Sequence, residues 1–170
     1  MKKQSGFTLI ELLLVLAIIG IISAIAIPAL LSQRARARDK AAVDNTVGRV
    51  ADLVGQWDKF RESGLTAANA ITSMQNYLKN TGGADKNPWN GTGTAPTPAF
   101  ASAFTTVAGT TASAFSANLE AKATPALLGQ AQFGYVLPTA SGQPGFFGGT
   151  VYVQNKINNK NTVSKVSSLE

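Results

Sequence analysis

Between Phe7 and Leu31 the sequence FTLIELLLVLAIIGIISAIAIPALL carries a single charge, Glu11. A carboxylate in such surroundings needs a partner that offsets its desolvation. A charge near the centre of a transmembrane segment costs on the order of 3 kcal/mol, and less near the interface, so an embedded Glu marks a functional site by default. The remaining inventory excludes more than it offers. The chain has no Cys and no His, which removes Cys/His and Ser/His/Asp nucleophiles, thiolate or imidazole zinc sites and redox dithiols. An enzyme is therefore not expected, and no cofactor is called for. Asp85, Asn87 and Asn90 gather oxygen ligands in one stretch with a single carboxylate, whereas calcium takes about six to eight oxygens including several carboxylates. A turn-rich loop is the expected reading there. Asn90-Gly91-Thr92 is a formal glycosylation sequon, and O-linked sugar on the nearby Thr and Ser residues is equally consistent with the sequence.

Glu11 has to be positioned by the element that holds it. As a helix, residues 7–31 span about 37 Å at ~1.5 Å per residue, more than the ~30 Å of a bilayer core. Lys2 and Lys3 precede the run and favour a cytoplasmic N-terminus. Arg34, Arg36, Arg38 and Lys40 follow it and oppose that orientation, so charge alone does not decide. Much of the formal charge of +6 lies in these two groups. The second reads as a juxtamembrane collar against lipid phosphates, with no specific nucleic-acid partner inferred. Charge also allows Arg36 or Arg38 to pair with Asp39 or Asp44 of a neighbouring copy. A competing reading is a secretory signal peptide cut after Ala24-Ile25-Ala26. Against it, the apolar run exceeds the about 7 to 15 residues of a signal peptide, continues past that site and contains Glu11.

The string KKQSGFTLIELLLVLAIIGIISAIAIPALL resembles the N-terminus of type IV pilins and of the related pseudopilins of type II secretion. The resemblance rests on a short basic leader ending in Gly6, then Phe7, then a Glu four residues on, then the apolar run. It implies that a prepilin peptidase cuts between Gly6 and Phe7 and methylates the new amine of Phe7, leaving the anchor in the mature protein. It implies a partner for Glu11 in the Phe7 amine of a neighbouring subunit, so copies of the chain form a helical homopolymer with the help of inner-membrane assembly machinery. It further implies that the stretch between Gly20 and Pro28 unwinds within the filament, since Pro28 removes a backbone donor and Gly20 lowers helix propensity. On this reading the protein is a single-pass membrane precursor and then part of an extracellular pilus serving adhesion, motility or DNA uptake. A pseudopilin and a non-polymerising membrane-anchored binding domain are the alternatives.

The expected fold is α+β, a long N-terminal helix packed against a small C-terminal antiparallel sheet. The organisation expected is a leader at 1–6, a membrane or filament-core half of the helix at 7–31, an amphipathic half at 32–62 and a head at 63–170. Val43, Val47, Val50, Val54 and Trp57 recur at helical spacing, with Leu53 and Phe60 widening the stripe. Ser63-Gly64 ends this helix, and Ala68, Ile71, Met74 and Leu78 predict a second within 65–79. Residues 84–97 read as a loop that Trp89 pins to the head. The Ala/Thr/Ser-rich stretch 99–118 reads as a strand pair or an irregular excursion. Strands are expected at 132–137, 150–154 and 162–166, with turns at 141–149 and 155–161. Many pilins close their C-terminal region with a disulfide, which this chain lacks, so strand pairing or neighbouring subunits must hold its end.

Overall fold

The computed structural model describes residues 6–82, 87–89, 100–138 and 144–169. Its fold divides between Arg36 and Ala37. From Leu9 on, the first part is helix alone, and the second is a layered α+β unit.

Helix α1 runs from Leu9 to Glu62. Its end is a Schellman motif: Gly64 takes φ 78°, its N–H donates to the Arg61 carbonyl at 3.0 Å, and the Leu65 N–H reaches the Phe60 carbonyl at 3.3 Å. A glycine serves there because the left-handed conformation costs it nothing. Helix α2 (Ala67–Gly82) begins at Thr66, whose hydroxyl accepts from the Asn69 N–H at 3.4 Å. Strand β1 (Phe100–Thr106), helix α3 (Ala112–Glu120), a 3-10 turn (Pro125–Leu127) and strands β2 (Ala131–Val136), β3 (Gly145–Ile157) and β4 (Lys160–Leu169) complete the unit.

The sheet order is β1-β2-β3-β4. β2, β3 and β4 pair antiparallel as expected, but β1 pairs parallel to β2, so the sheet is mixed. The parallel pair follows from the connection, because α3 lies between β1 and β2 and returns the chain to the same end of the sheet. The stretch 99–118 is thus neither a strand pair nor irregular: it is β1 followed by most of α3. The pairing Gly145↔Leu169 holds the C-terminal strand along β3, where a disulfide is absent.

Helices cover both faces of this sheet. On one face Phe133 and Phe147 pack with Val50, Leu53 and Trp57 of α1 and with Ile71, Met74 and Leu78 of α2. Phe147 meets Trp57 edge-on at 5.3 Å between ring centroids. On the other, Phe146 packs with Phe115 and Leu119 of α3. Adjacent residues face opposite ways because side chains alternate along a strand.

Gly148 and Gly149 explain how the two layers approach so closely. A Cβ on Gly148 would lie 2.8 Å from both Leu119 Cδ2 and Phe115 Cε1, and one on Gly149 would lie 2.9 Å from Thr46 Cγ2 and Val50 Cγ2. The sequence reading placed both glycines in a turn at 141–149. They belong to β3, and their role is close packing on either face. Overpacking such a position costs about 1–3 kcal/mol. Gly148→Ala is accordingly expected to lower the thermal midpoint of the detergent-solubilised chain. Gly55→Ala, on open helix surface with nothing within 4 Å, is expected to raise it by up to about 1 kcal/mol of stability; circular dichroism melts check both.

The face α1 presents to the sheet is also rotated from the expected stripe. The buried positions are Asp39, Ala42, Thr46, Val50, Leu53 and Trp57, whereas Val47 is 38% exposed. Small residues occupy the upper part of this face because β3 comes close there, with Thr46 against Gly149.

Candidate functional site

The residues that carry the family resemblance lie at the start of α1. Gly6 and Phe7 precede the helix, and Phe7 is 89% exposed. Thr8 is the residue just before Leu9, and with Glu11 it forms a capping box. The Thr8 N–H donates to Glu11 Oε2 at 2.9 Å and the Thr8 hydroxyl to the same oxygen at 2.8 Å. The Glu11 N–H donates back to Thr8 Oγ1 at 3.4 Å. Two otherwise orphaned N–H groups of the first turn are satisfied this way, and the acid sits where the helix dipole favours it. Glu11 therefore has a partner within its own chain, Thr8, which the sequence reading passed over. The T-x-x-E spacing that signals a capping box was present in the residues themselves.

From Leu9 to Leu31 the large apolar side chains of α1 are exposed, and the helix is long and apolar enough to cross a membrane. It runs unbroken through Gly20 and Pro28. Pro28 withholds the N–H that would reach the Ala24 carbonyl. A Cβ at Gly20 would meet nothing within 4 Å, so packing within the chain does not require a glycine there. Asn90 lies outside the described residues.

The collar contains a residue whose role was not legible. Asp39 is 2% exposed. Its Oδ1 accepts from the Gln154 N–H at 3.0 Å and from Trp89 Nε1 at 3.1 Å, and its Oδ2 accepts from the Asn155 N–H at 2.9 Å and from Asn155 Nδ2 at 2.7 Å. Four donors can offset the desolvation of a buried carboxylate. The expected pairing of Asp39 with an arginine of a neighbouring copy is thereby displaced: this carboxylate is used inside the head. Asp44 is exposed. Arg38 lies over the Trp89 ring, 5.4 Å from its centroid, so Trp89 does pin its segment to the head. Asn87 supports it, donating from Nδ2 to the Leu128 carbonyl at 2.9 Å and accepting the Trp89 N–H at 2.9 Å.

Residues 1–27 match the family model described as the prokaryotic N-terminal methylation motif. Over 111 residues, 55% of this chain, the sequence is 40% identical to the type IV major alpha-pilin of Moraxella bovis and covers 67% of that protein. The chain belongs to the family of type IV pilins and type II secretion pseudopilins. It is also 41% identical over 78 residues to the type IV wide pilus major component of Thermus thermophilus, covering 46% of this chain and 53% of that one. It is 28% identical over 90 residues to the type II secretion system core protein G of Pseudomonas aeruginosa, covering 52% and 61%. The chain thus spans about half the length of the Thermus thermophilus relative, 53%. No solved structure matches it.

Proposed function

We propose that the chain is the structural subunit of a type IV pilus, held in the cytoplasmic membrane by residues 7–31 as a precursor and then polymerised through the same helix into an extracellular filament. The observation that carries this reading is the exposure of every large apolar side chain from Leu9 to Leu31, with one carboxylate among them. A soluble protein does not leave such a surface in water. A bilayer covers it at one stage, and copies of the same helix cover it at the next.

In this account prepilin peptidase cuts between Gly6 and Phe7, and the new amine of Phe7 meets Glu11 of a neighbouring subunit. Assembly machinery of the inner membrane adds subunits one by one, and Gly20 and Pro28 mark where the helix yields when the filament forms. The domain organisation follows: leader at 1–6, stem at 7–31, amphipathic half of the helix at 32–62, head from 63. The finished filament serves adhesion, motility or DNA uptake, and the chain itself catalyses nothing. Intact-mass measurement of the mature protein tests the first step. The expected N-terminus is Phe7 carrying one methyl group, and a start after Ala26 would sink the proposal by showing an ordinary signal peptide.

A second reading, a pseudopilin that polymerises to move cargo, is favoured by the likeness to core protein G, of which the chain covers 61%. Electron microscopy of surface filaments separates the two. Filaments that contain this chain support the pilus, and filaments that form without it favour the secretion role.

A further inference from the structure

The tip of the β3–β4 hairpin is a two-residue turn in which Asn158 and Asn159 both adopt left-handed φ, 50° and 64°, the geometry of a type I′ hairpin. Lys156, Ile157, Asn158, Asn159 and Lys160 are all exposed, and Ile157 is a large apolar side chain left 37% open. Immediately before them, the backbone of Gln154 and Asn155 is fastened to Asp39. Arg38 and Lys40 flank Asp39 in α1, so the fold brings bases together from segments more than a hundred residues apart.

This gathering of charge has little acid to neutralise it. Asp39 is buried and spent on its four donors. Glu120 holds Lys160 at 3.1 Å and Asp44 lies one helical turn from Lys40, which leaves Lys156 and Arg38 as the chief operative cations. Between Glu120 and Glu170 the sequence has no acidic residue at all.

From this we infer that the hairpin tip, with Arg38 and Lys40 beside it, docks on anionic lipid headgroups while the subunit is anchored in the bilayer. The inference rests on the membrane-anchored stage proposed above. An exposed apolar residue flanked by bases is the composition of an interfacial segment, its apolar part entering the headgroup boundary and its cations meeting phosphates. Asp39 follows Leu31 by eight residues, which bounds their separation at about 28 Å for any path at ~3.5 Å per residue. Nucleic acid fits less well, because it asks for a longer series of bases and gives Ile157 nothing to enter.

The test uses the full chain in vesicles of phosphatidylcholine alone or with a third of the lipid as phosphatidylglycerol. The absence of native cysteine permits single spin labels at Ala17→Cys, Ser63→Cys and Ile157→Cys, read by their accessibility to oxygen against a water-soluble nickel chelate. Position 17 is expected to be immersed and position 63 aqueous in both vesicles. At position 157 the oxygen-to-nickel ratio is expected to rise severalfold in the anionic vesicles alone, and to fall back with Lys156→Gln or in 1 M salt, where the screening length shrinks to about 3 Å. An aqueous label at 157 in both vesicles, with 17 immersed, overturns this inference and leaves the anchor standing. An aqueous label at 17 overturns the anchor as well. Duplex DNA binding that depends on Lys156, without any lipid response at 157, reassigns the bases to nucleic acid and likewise overturns it.

Discussion

Cells carrying Glu11→Val are expected to show no surface filaments while the subunit accumulates in the membrane at normal or raised level. Valine removes the one charge of residues 7–31, so the anchored precursor gains stability in the bilayer, where an embedded carboxylate costs up to about 3 kcal/mol. The assembled state loses by the same change. An ammonium at Phe7 left without its carboxylate in an apolar surrounding costs about 3–5 kcal/mol, a factor of roughly a hundred to several thousand in each subunit addition. Thr8→Val separates the capping box from the ion pair. It deletes the hydroxyl that reaches Glu11 at 2.8 Å but keeps the N–H bond at 2.9 Å. The cost of a lost helix cap is about 1 kcal/mol, so filament yield should drop several-fold without vanishing. Immunoblots of sheared filaments against membrane-retained subunit measure both variants, and a Glu11→Val strain with wild-type filament yield would remove the ion pair from the account.

The second large effect is expected at Asp39. In Asp39→Ala the backbone N–H groups of Gln154 and Asn155 and the indole N–H of Trp89 lose their acceptor together. A buried donor left unmade costs about 1–3 kcal/mol; these are part-buried and water reaches some of them, so a loss of about 2–4 kcal/mol is expected. Against the 5–15 kcal/mol that is roughly the stability of a folded domain, that is a large part of what holds a marginal head. Asp39→Asn keeps one acceptor oxygen and should fall between the two. Urea titration of the solubilised chain followed by Trp fluorescence provides the measurement. A shift in midpoint below that of an ordinary surface substitution, about 0.5 kcal/mol, would show that the four bonds hold nothing.

What the residues disclosed and what they withheld divides by range. The start, length and end of α1 were readable because apolar run, Ser63-Gly64 and helical spacing are local signals. The burial stripe was read from valines, yet Val47 is outside it, while Ala42 and Thr46 are inside. Those small residues are chosen by the approach of β3, which lies about a hundred positions away. Gly148 and Gly149 look like turn residues because glycine usually interrupts a strand; here they mark where helices press on a sheet from both sides. Within 99–118 the helix signal was present but unread: Thr111 caps α3 by accepting the Ala114 N–H at 3.2 Å, and Phe115 and Leu119 stand four apart on its buried face. The parallel pairing of β1 had no local sign. For Asp39 nothing in the sequence was available, since its backbone donors lie 115 and 116 residues along the chain. The N-terminal residues were legible for the opposite reason, that Gly6, Phe7, Thr8 and Glu11 fall within six consecutive positions.

The placement of α3 bears on how such a subunit can vary. Its inward side chains, Phe115 and Leu119, are fixed by the glycines beneath them, but Ala112, Ser113, Ala114, Ala117 and Asn118 are exposed. Substitution at these five would change much of the surface laid over that face of the sheet, while strand register and the core stayed as they are. A sheet left bare on that face could change its surface only by changing its own strands; here the outer layer is α3, and it can be replaced without touching them.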